Sequence, residues 1–351
     1  MQFYSIKTIP EDFHVVEVSF LPDFRDKENA SYTYVWMKKK SNTTFEALDK
    51  IINYFSLPYN SIGSEGLKDE NAITEQMLSI QKILDDNDLL AFNKKNQQGE
   101  TFIEFVRIIG YGTLALQARK LHGNIFTIVL RNLTQKHANQ LRDFSTSNRF
   151  VTLVNYYDKQ RFGMDVGPFN THIIGKAIID GAWCTALTEL RKTKNIPDTL
   201  ATTQIDPNNE DACKSFFASL NPQKLKFFVT SFTSVLWNQK ASQTLQSLNV
   251  GKSVPFENVG DLFVPENVHF QTLTNCTVDG FEFDQETFSV RQVPYERDLI
   301  FKTIFFPSEI SDDELHTNNY KITMNFFLPS GSYATMAMRQ LFIQATNIYD
   351  E

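Results

Sequence analysis

The chain has 351 residues, 42% of them hydrophobic and 31 of them Phe, which is enough for two packed cores and excludes a disordered chain. Its net charge of −7, with the excess acid in the second half, argues against a uniformly basic nucleic-acid binder but permits a local basic cleft. No window approaches twenty apolar residues, no basic-then-apolar leader opens the chain, and Cys184, Cys213 and Cys276 lack CxxC spacing, so a membrane span, a secretory signal and a cysteine metal site are not expected, whereas a reducing cytosol is.

KTIPEDFHVVEVSF comes first, and its alternation from Phe13 onward predicts a strand. Taken alone, Lys7 reads as a solvated cation and Phe13 as a core ring. A polar loop leads to a second strand over 32–37 and to Lys38-Lys39-Lys40, a triplet read as a solvated strand end able to meet phosphate. Thr43 and Glu46 fit a capping box, and Phe45, Leu48, Ile51, Ile52 and Phe55 line one helical face that Pro58 ends. The stretch 63–80, GSEGLKDENAITEQMLSI, combines a turn with a period-two run from Ile73 to Ile80. Gly66 is expected to free the backbone for a sharp turn before Lys68 and Asp69. Asp69 is then either a turn residue bonding its own backbone or a reachable carboxylate held on a rigid loop.

An acidic loop at Asp85, Asp86 and Asp88 precedes strands over 101–109 and 125–130, between which ARKLHGN gathers Arg119, Lys120 and His122. A short helix is expected over 134–145. VNYYDKQRFG follows, readable as an aromatic strand end packed on a core. After it the character changes. One helix is expected through Ile174, Ile178, Ala182, Leu187 and Leu190, then a polar linker over 192–209, a long helix over 225–248 and short strands over 251–293. A strand over 320–328, a turn at Gly331 and Ser332 and a helix over 334–345 close the chain, with no internal repeat.

Four of these stretches, in order, resemble the TruD family of tRNA pseudouridine synthases. The family's KxxPEDFxVxE is matched by Lys7, Pro10, Glu11, Asp12, Phe13, Val15 and Glu17. Its AGLKDRxAxTxQ is matched by Gly66, Leu67, Lys68, Asp69, Ala72, Thr74 and Gln76, with Glu65 in place of Ala. Its PNYFGxQRFG is matched by Asn155, Tyr156, Gln160, Arg161, Phe162 and Gly163, while Val154, Tyr157 and Asp158 depart from it. LPSGSYATMAMRQLF is similar to its LPxGSYATxxxREL, and Leu121, Gly123 and Asn124 reproduce an LxGN hairpin end whose charge falls on Arg119 and Lys120 here.

The resemblance implies an α+β fold, with a pseudouridine-synthase-like catalytic domain of mixed or antiparallel sheet and flanking helices. That domain is expected to be discontinuous, 1–167 and 296–351, around a smaller inserted α+β domain at 168–295. The implied activity is isomerisation of a uridine of tRNA, uridine 13 in the family, to pseudouridine. Asp69 is implied as the catalytic carboxylate, acting as nucleophile or as base. Phe13, Tyr157 and Tyr333 are implied as aromatic walls for a flipped base, and Asn155 as the amide that holds the base edge or orients Asp69. Lys7 and Lys68 are the candidate cations beside Asp69, and Arg161 is either a phosphate contact or a structural ion-pair partner. The reaction oxidises nothing and loses no group, so no cofactor or metal is expected; the partner is tRNA, and the location cytoplasmic and not membrane-bound. The alternative is a non-catalytic RNA-binding or RNA-folding protein on the same scaffold, which an intact Asp69 disfavours.

Overall fold

The structure, a computed structural model, describes residues 3–96, 100–117, 121–163, 168–193, 204–247, 251–256, 260–266 and 275–346. Arg119 and Lys120 lie outside the described residues. In chain order the elements are β1 (Phe13–Val18), β2 (Tyr32–Lys40), α1 (Thr44–Phe55), β3 (Ile62–Ser64), β4 (Ile73–Ile80), α2 (Asp86–Asn96), β5 (Phe102–Gly112), β6 (Gly123–Leu133) and α3 (Gln135–Ser147). There follow β7 (Val151–Val154), α4 (Thr171–Ile179), α5 (Trp183–Arg191), α6 (Glu210–Ser219), α7 (Pro222–Gln246), β8 (Gly251–Phe256), β9 (Gly260–Pro265), β10 (Asn275–Asp284), β11 (Ser289–Asp298) and β12 (Ile300–Thr303). The last are β13 (Phe306–Pro307), β14 (Ser311–Asp312), β15 (Tyr320–Pro329) and α8 (Ala334–Thr346). The fold is α+β, as expected. The chain divides into two compact units: 1–151 with 303–331, and 152–302 with 332–351.

The first unit is built on a nine-stranded sheet in the order β13-β15-β6-β1-β4-β2-β5, with β14 on β15 and β3 on β4. β1 and β4 run parallel and the other recorded pairs are antiparallel, so the sheet is mixed. α1 starts on the expected capping box, with Thr43 and Glu46 each bonding the other's backbone amide. It buries Ala47 and Ile51 against Val35, Met37, Leu78 and Ile80 of β2 and β4. The acidic segment at 85–88 is not a loop but the start of α2. Asp85 Oδ1 accepts from the amides of Asn87 and Asp88, and Asp88 Oδ2 accepts from the Asp85 amide. Acids suit that place because helix N-terminal amides lack intrahelical acceptors.

The PED turn before β1 is held by burial of Asp12. Its carboxylate accepts from Ile9 N and from Arg131 Nε at 2.8 and 2.9 Å, while Arg131 Nη1 reaches Asp313 at 2.8 Å. A bridge between Ser5 and Arg131 pins the preceding residues to β6. Lys7 lies between these two anchors.

In the second unit, α7 is buried on most of its circumference, with Phe228, Val229, Trp237 and Leu245 inside. It packs against α4, β9 and β10, and β10 pairs with β11 along ten residues of each. The single helix expected from Ile174 to Leu190 is two, because Gly181 takes a left-handed backbone (φ 71°) that ends α4. The cysteines, read as scattered thiols, are also corrected. Cys184 on α5 and Cys213 on α6 form a disulfide, and Cys276 remains a buried thiol. Among the described residues no helix is long and apolar enough to cross a membrane.

Candidate active site

The structure gathers the expected site residues in two groups, one within each unit. In the first unit Lys7 Nζ lies 3.1 Å from Asp69 Oδ1 and 4.2 Å from the centre of the Phe13 ring, so one ammonium touches both partners. The Asp69 side chain is 31% exposed, which leaves it open to a substrate. Lys7 has φ 57°, a left-handed conformation unusual for a residue with a side chain. Such strain persists only where its surroundings impose it, here the anchors at Ser5 and Asp12.

The loop carrying Asp69 is tied down through its own backbone. Lys68 N donates to Thr44 Oγ1 at 2.9 Å, and Gln76 Nε2 reaches Gly66 O at 3.3 Å. Lys39 Nζ donates to Asp69 O and to Asn42 O, both at 2.7 Å. The reading of Lys38-Lys39-Lys40 as a solvated end therefore fails for Lys39, which is fully buried. On β2 it shares the inward parity of Met37 and sits opposite Thr74 of β4. That parity was the available signal, masked by the two outward lysines beside it. Desolvation lowers the Lys39 pKa to about 8, while the Asp69 charge opposes the shift.

Two further expectations about this loop are corrected. Lys68 Nζ is engaged in a buried ion pair with Glu17 of β1, which also accepts from Ser19 Oγ, while Lys7 is the cation bonded to Asp69. Gly66 does not have a positive φ, and a Cβ added there meets nothing nearer than Lys68 Nζ at 3.8 Å. The turn is shaped by its three side-chain tethers rather than by glycine's freedom.

In the second unit Asn155, Tyr157, Arg161 and Tyr333 come together around α7 and β11. Asn238 of α7 grips the backbone of Tyr157 at both ends, accepting from its N at 2.9 Å and donating to its O at 3.0 Å. The Tyr333 ring meets Tyr157 edge-on at 5.9 Å, and burial raises the Tyr333 pKa to about 12. The Tyr157 hydroxyl bonds the hydroxyl of Tyr295, whose pKa burial also raises. Asp158 caps the turn at 159–161 and bonds Thr335 at the start of α8. Of the two readings of Arg161, the geometry favours a structural role, with hydroxyls rather than a carboxylate as its partners among the described residues: Nε meets Ser234 Oγ at 3.1 Å and Nη2 meets Thr230 Oγ1 at 2.7 Å. Tyr156 is a core residue whose hydroxyl donates to Phe263 O.

Sequence reasoning missed Arg297. Its Nε donates to Asn155 O at 3.0 Å and its Nη2 to Asn155 Oδ1 at 2.6 Å. The guanidinium lies 4.2 Å from the Tyr157 ring centre and 5.4 Å from that of Trp237. Nothing in its neighbourhood in sequence announces this, because its partners lie some 140 residues earlier.

The sequence profile of the family described as tRNA pseudouridine synthase D (TruD) matches residues 3–199. The tRNA pseudouridine synthase D of Aquifex aeolicus is 27% identical to this chain, the alignment covering 96% of this chain and 97% of that one. That of Leptospira interrogans is 24% identical, covering 97% of each. A Methanosarcina mazei crystal structure assigned to tRNA pseudouridine synthase D superposes with a TM-score of 0.63 at 18% identity, covering 97% of this chain and 93% of that one, a likeness of fold.

Proposed function

Because the chain belongs to the TruD family of tRNA pseudouridine synthases, we propose that it isomerises uridine 13 of tRNA with Asp69 as its essential carboxylate. It is an isomerase that turns uridine into pseudouridine; the position in tRNA and the residue roles are the proposal. Isomerisation breaks the N-glycosidic bond, turns the base and rejoins it through carbon, with no net change of atoms or electrons. The observation that carries the role of Asp69 is its placement: a partly exposed carboxylate on a loop whose backbone is tied at Gly66 O, Lys68 N and Asp69 O. A group held this way loses little freedom on reaching the reactive geometry. Asp69 attacks as nucleophile or removes a ribose proton as base, with the Lys7 ammonium beside its Oδ1 favouring the ionised form. Phe13 in the first unit, and Tyr157 and Tyr333 in the second, are each assigned substrate binding on the family resemblance, and Lys7 orients Asp69. Lys68 and Arg161 support the backbone around them. The catalytic domain comprises 1–167 and 296–351, with an inserted domain at 168–295, and the enzyme works in the cytoplasm on tRNA.

The test is incubation with an unmodified tRNA transcript followed by chemical mapping of pseudouridine. Conversion at position 13 supports the reading. Binding without conversion leaves a non-catalytic RNA-binding protein, and conversion elsewhere refutes the position.

Tyr157 gives a sharper expectation. If its ring stacks on the base, Tyr157→Phe keeps activity near wild-type. The variant loses about 1 kcal/mol of stability, because the Tyr295 hydroxyl loses its partner. Tyr157→Ala loses stacking worth about 1–3 kcal/mol, roughly ten- to a hundredfold in kcat/KM. A Phe variant as slow as the Ala variant would assign the chemistry to the hydroxyl instead.

A further inference from the structure

The segment that carries Lys7 is fixed at both ends by one residue, Arg131 of β6. The Arg131 amide donates to Ser5 O and its carbonyl accepts from Ser5 N, both at 2.9 Å. Its side chain reaches the other end of the segment, with Nε 2.8 and 2.9 Å from the two carboxylate oxygens of Asp12. Strand register explains the reach. β6 continues beyond Ile128, the partner of Phe13 at the start of β1, and so carries Arg131 alongside the turn that precedes β1. The guanidinium is held in its turn by Asp313 at 2.8 Å and Glu314 at 3.1 Å, and Asp313 accepts from the amides of Asn132 and Leu315. The side chains of Arg131, Asp12 and Asp313 are all buried. Taking such charges out of water costs about as much as their attraction returns, so the cluster is a weak source of stability. What a planar fork of donors does supply is direction.

We propose that Arg131 is a positioning residue for the reaction, acting through Lys7: by clamping Ser5 and Asp12 it imposes the left-handed backbone at Lys7 and so aims the ammonium at Asp69 Oδ1. This rests on the pseudouridine synthase reading above, with Asp69 as its carboxylate, and adds the group that sets the cation beside it. A non-glycine residue at φ 57° relaxes to a negative φ when nothing restrains it, and that change redirects the side chain. The 3.1 Å contact with Asp69 and the 4.2 Å approach to the Phe13 ring centre therefore depend on both clamps. Glu11, the other acid of the turn, pairs with Lys40 of β2, whose neighbour Lys39 ties Asp69 O. The cation and the carboxylate are thus referred to the same sheet, one through β6 and the other through β2. Lysine at position 131 keeps the charge but has no fork, so it cannot serve Asp12, Asp313 and Glu314 in the same directions.

The test uses the full-length enzyme and an unmodified tRNA transcript, with Arg131→Lys, Asp12→Asn and Lys7→Met made singly and in pairs with Lys7→Met. Arg131→Lys and Asp12→Asn break the same tether from opposite sides, so if one of them fails to fold the other decides. Each is expected to lower kcat about tenfold while KM stays within about twofold, because the substrate still binds and only the reacting group is misplaced. Lys7→Met is expected to lose at least as much. Added to Lys7→Met, either change is expected to cost less than about twofold more, the mark of a residue that acts through another. A role confined to stability would leave kcat per folded molecule unchanged. Folded single variants with wild-type kcat, a fully active Lys7→Met, or losses that multiply in the double variants each overturn the inference while leaving the enzyme a synthase. A wild-type enzyme that makes no pseudouridine from the transcript overturns the functional reading itself.

Discussion

Replacement of Asp69 by Asn is expected to abolish isomerisation, a loss of about a thousandfold or more in single-turnover rate, with tRNA affinity kept within a few-fold. The change is nearly isosteric and removes one negative charge. Its structural cost is small, since the ion pair with Lys7 is partly exposed and such pairs contribute about 1 kcal/mol at most. The loop keeps its shape because its tethers grip Gly66 O, Lys68 N and Asp69 O, none of which the substitution touches. An inactive yet folded and tRNA-binding variant therefore isolates the carboxylate. Substantial single-turnover activity would remove Asp69 from the mechanism.

Lys39→Met is expected to cost about 2–5 kcal/mol of stability and ten- to a hundredfold in kcat. Methionine nearly fills the same volume, so little of this is a cavity effect. The loss comes from Asn42 O and Asp69 O, two carbonyls left without their donor in a buried place. The second of them belongs to the catalytic residue, so a loosened loop displaces Asp69 and lowers kcat more than it raises KM. Titration provides an independent check. Desolvation holds the folded-state pKa of Lys39 at about 8, below the ordinary lysine value of 10.5, so between these pH values the unfolded chain binds more protons than the native one. Stability of the wild type relative to Lys39→Met therefore rises from pH 8 to pH 10.5, and below pH 8 the penalty of the buried charge is present in full. Neutral lysine still has two N–H donors for the two carbonyls. Urea unfolding of both proteins at pH 7.5, 9 and 10 measures the difference. A flat difference would show that the ammonium is not desolvated, and unchanged kcat in the variant would show that the tether does not serve Asp69.

The corrections at Lys68 and Lys39 have one cause. Lys68 is adjacent in sequence to Asp69, yet its ammonium pairs with Glu17 of β1. Lys39 is thirty residues away and reaches the loop because β2 lies beside β4 with Lys39 opposite Thr74. Proximity in the chain was the wrong guide, and strand register the right one.

What the sequence determined by itself was whatever is encoded within a few residues or carried by a motif. The capping box at Thr43 and Glu46, the period-two run from Ile73 to Ile80, the α+β class and the membership of the family were all legible there, because each depends on local spacing or local identity. Tertiary structure alone decided the remainder: the burial of Lys39, the partner of Lys68, the fork of Arg297 on Asn155 and the Cys184–Cys213 disulfide. Each of these joins residues distant in the chain, and each burial or pairing is repaid only when sheet register and helix packing bring both partners out of water together. A lysine pattern does not record which carbonyl will lie above it, and an arginine does not record which amide it will meet.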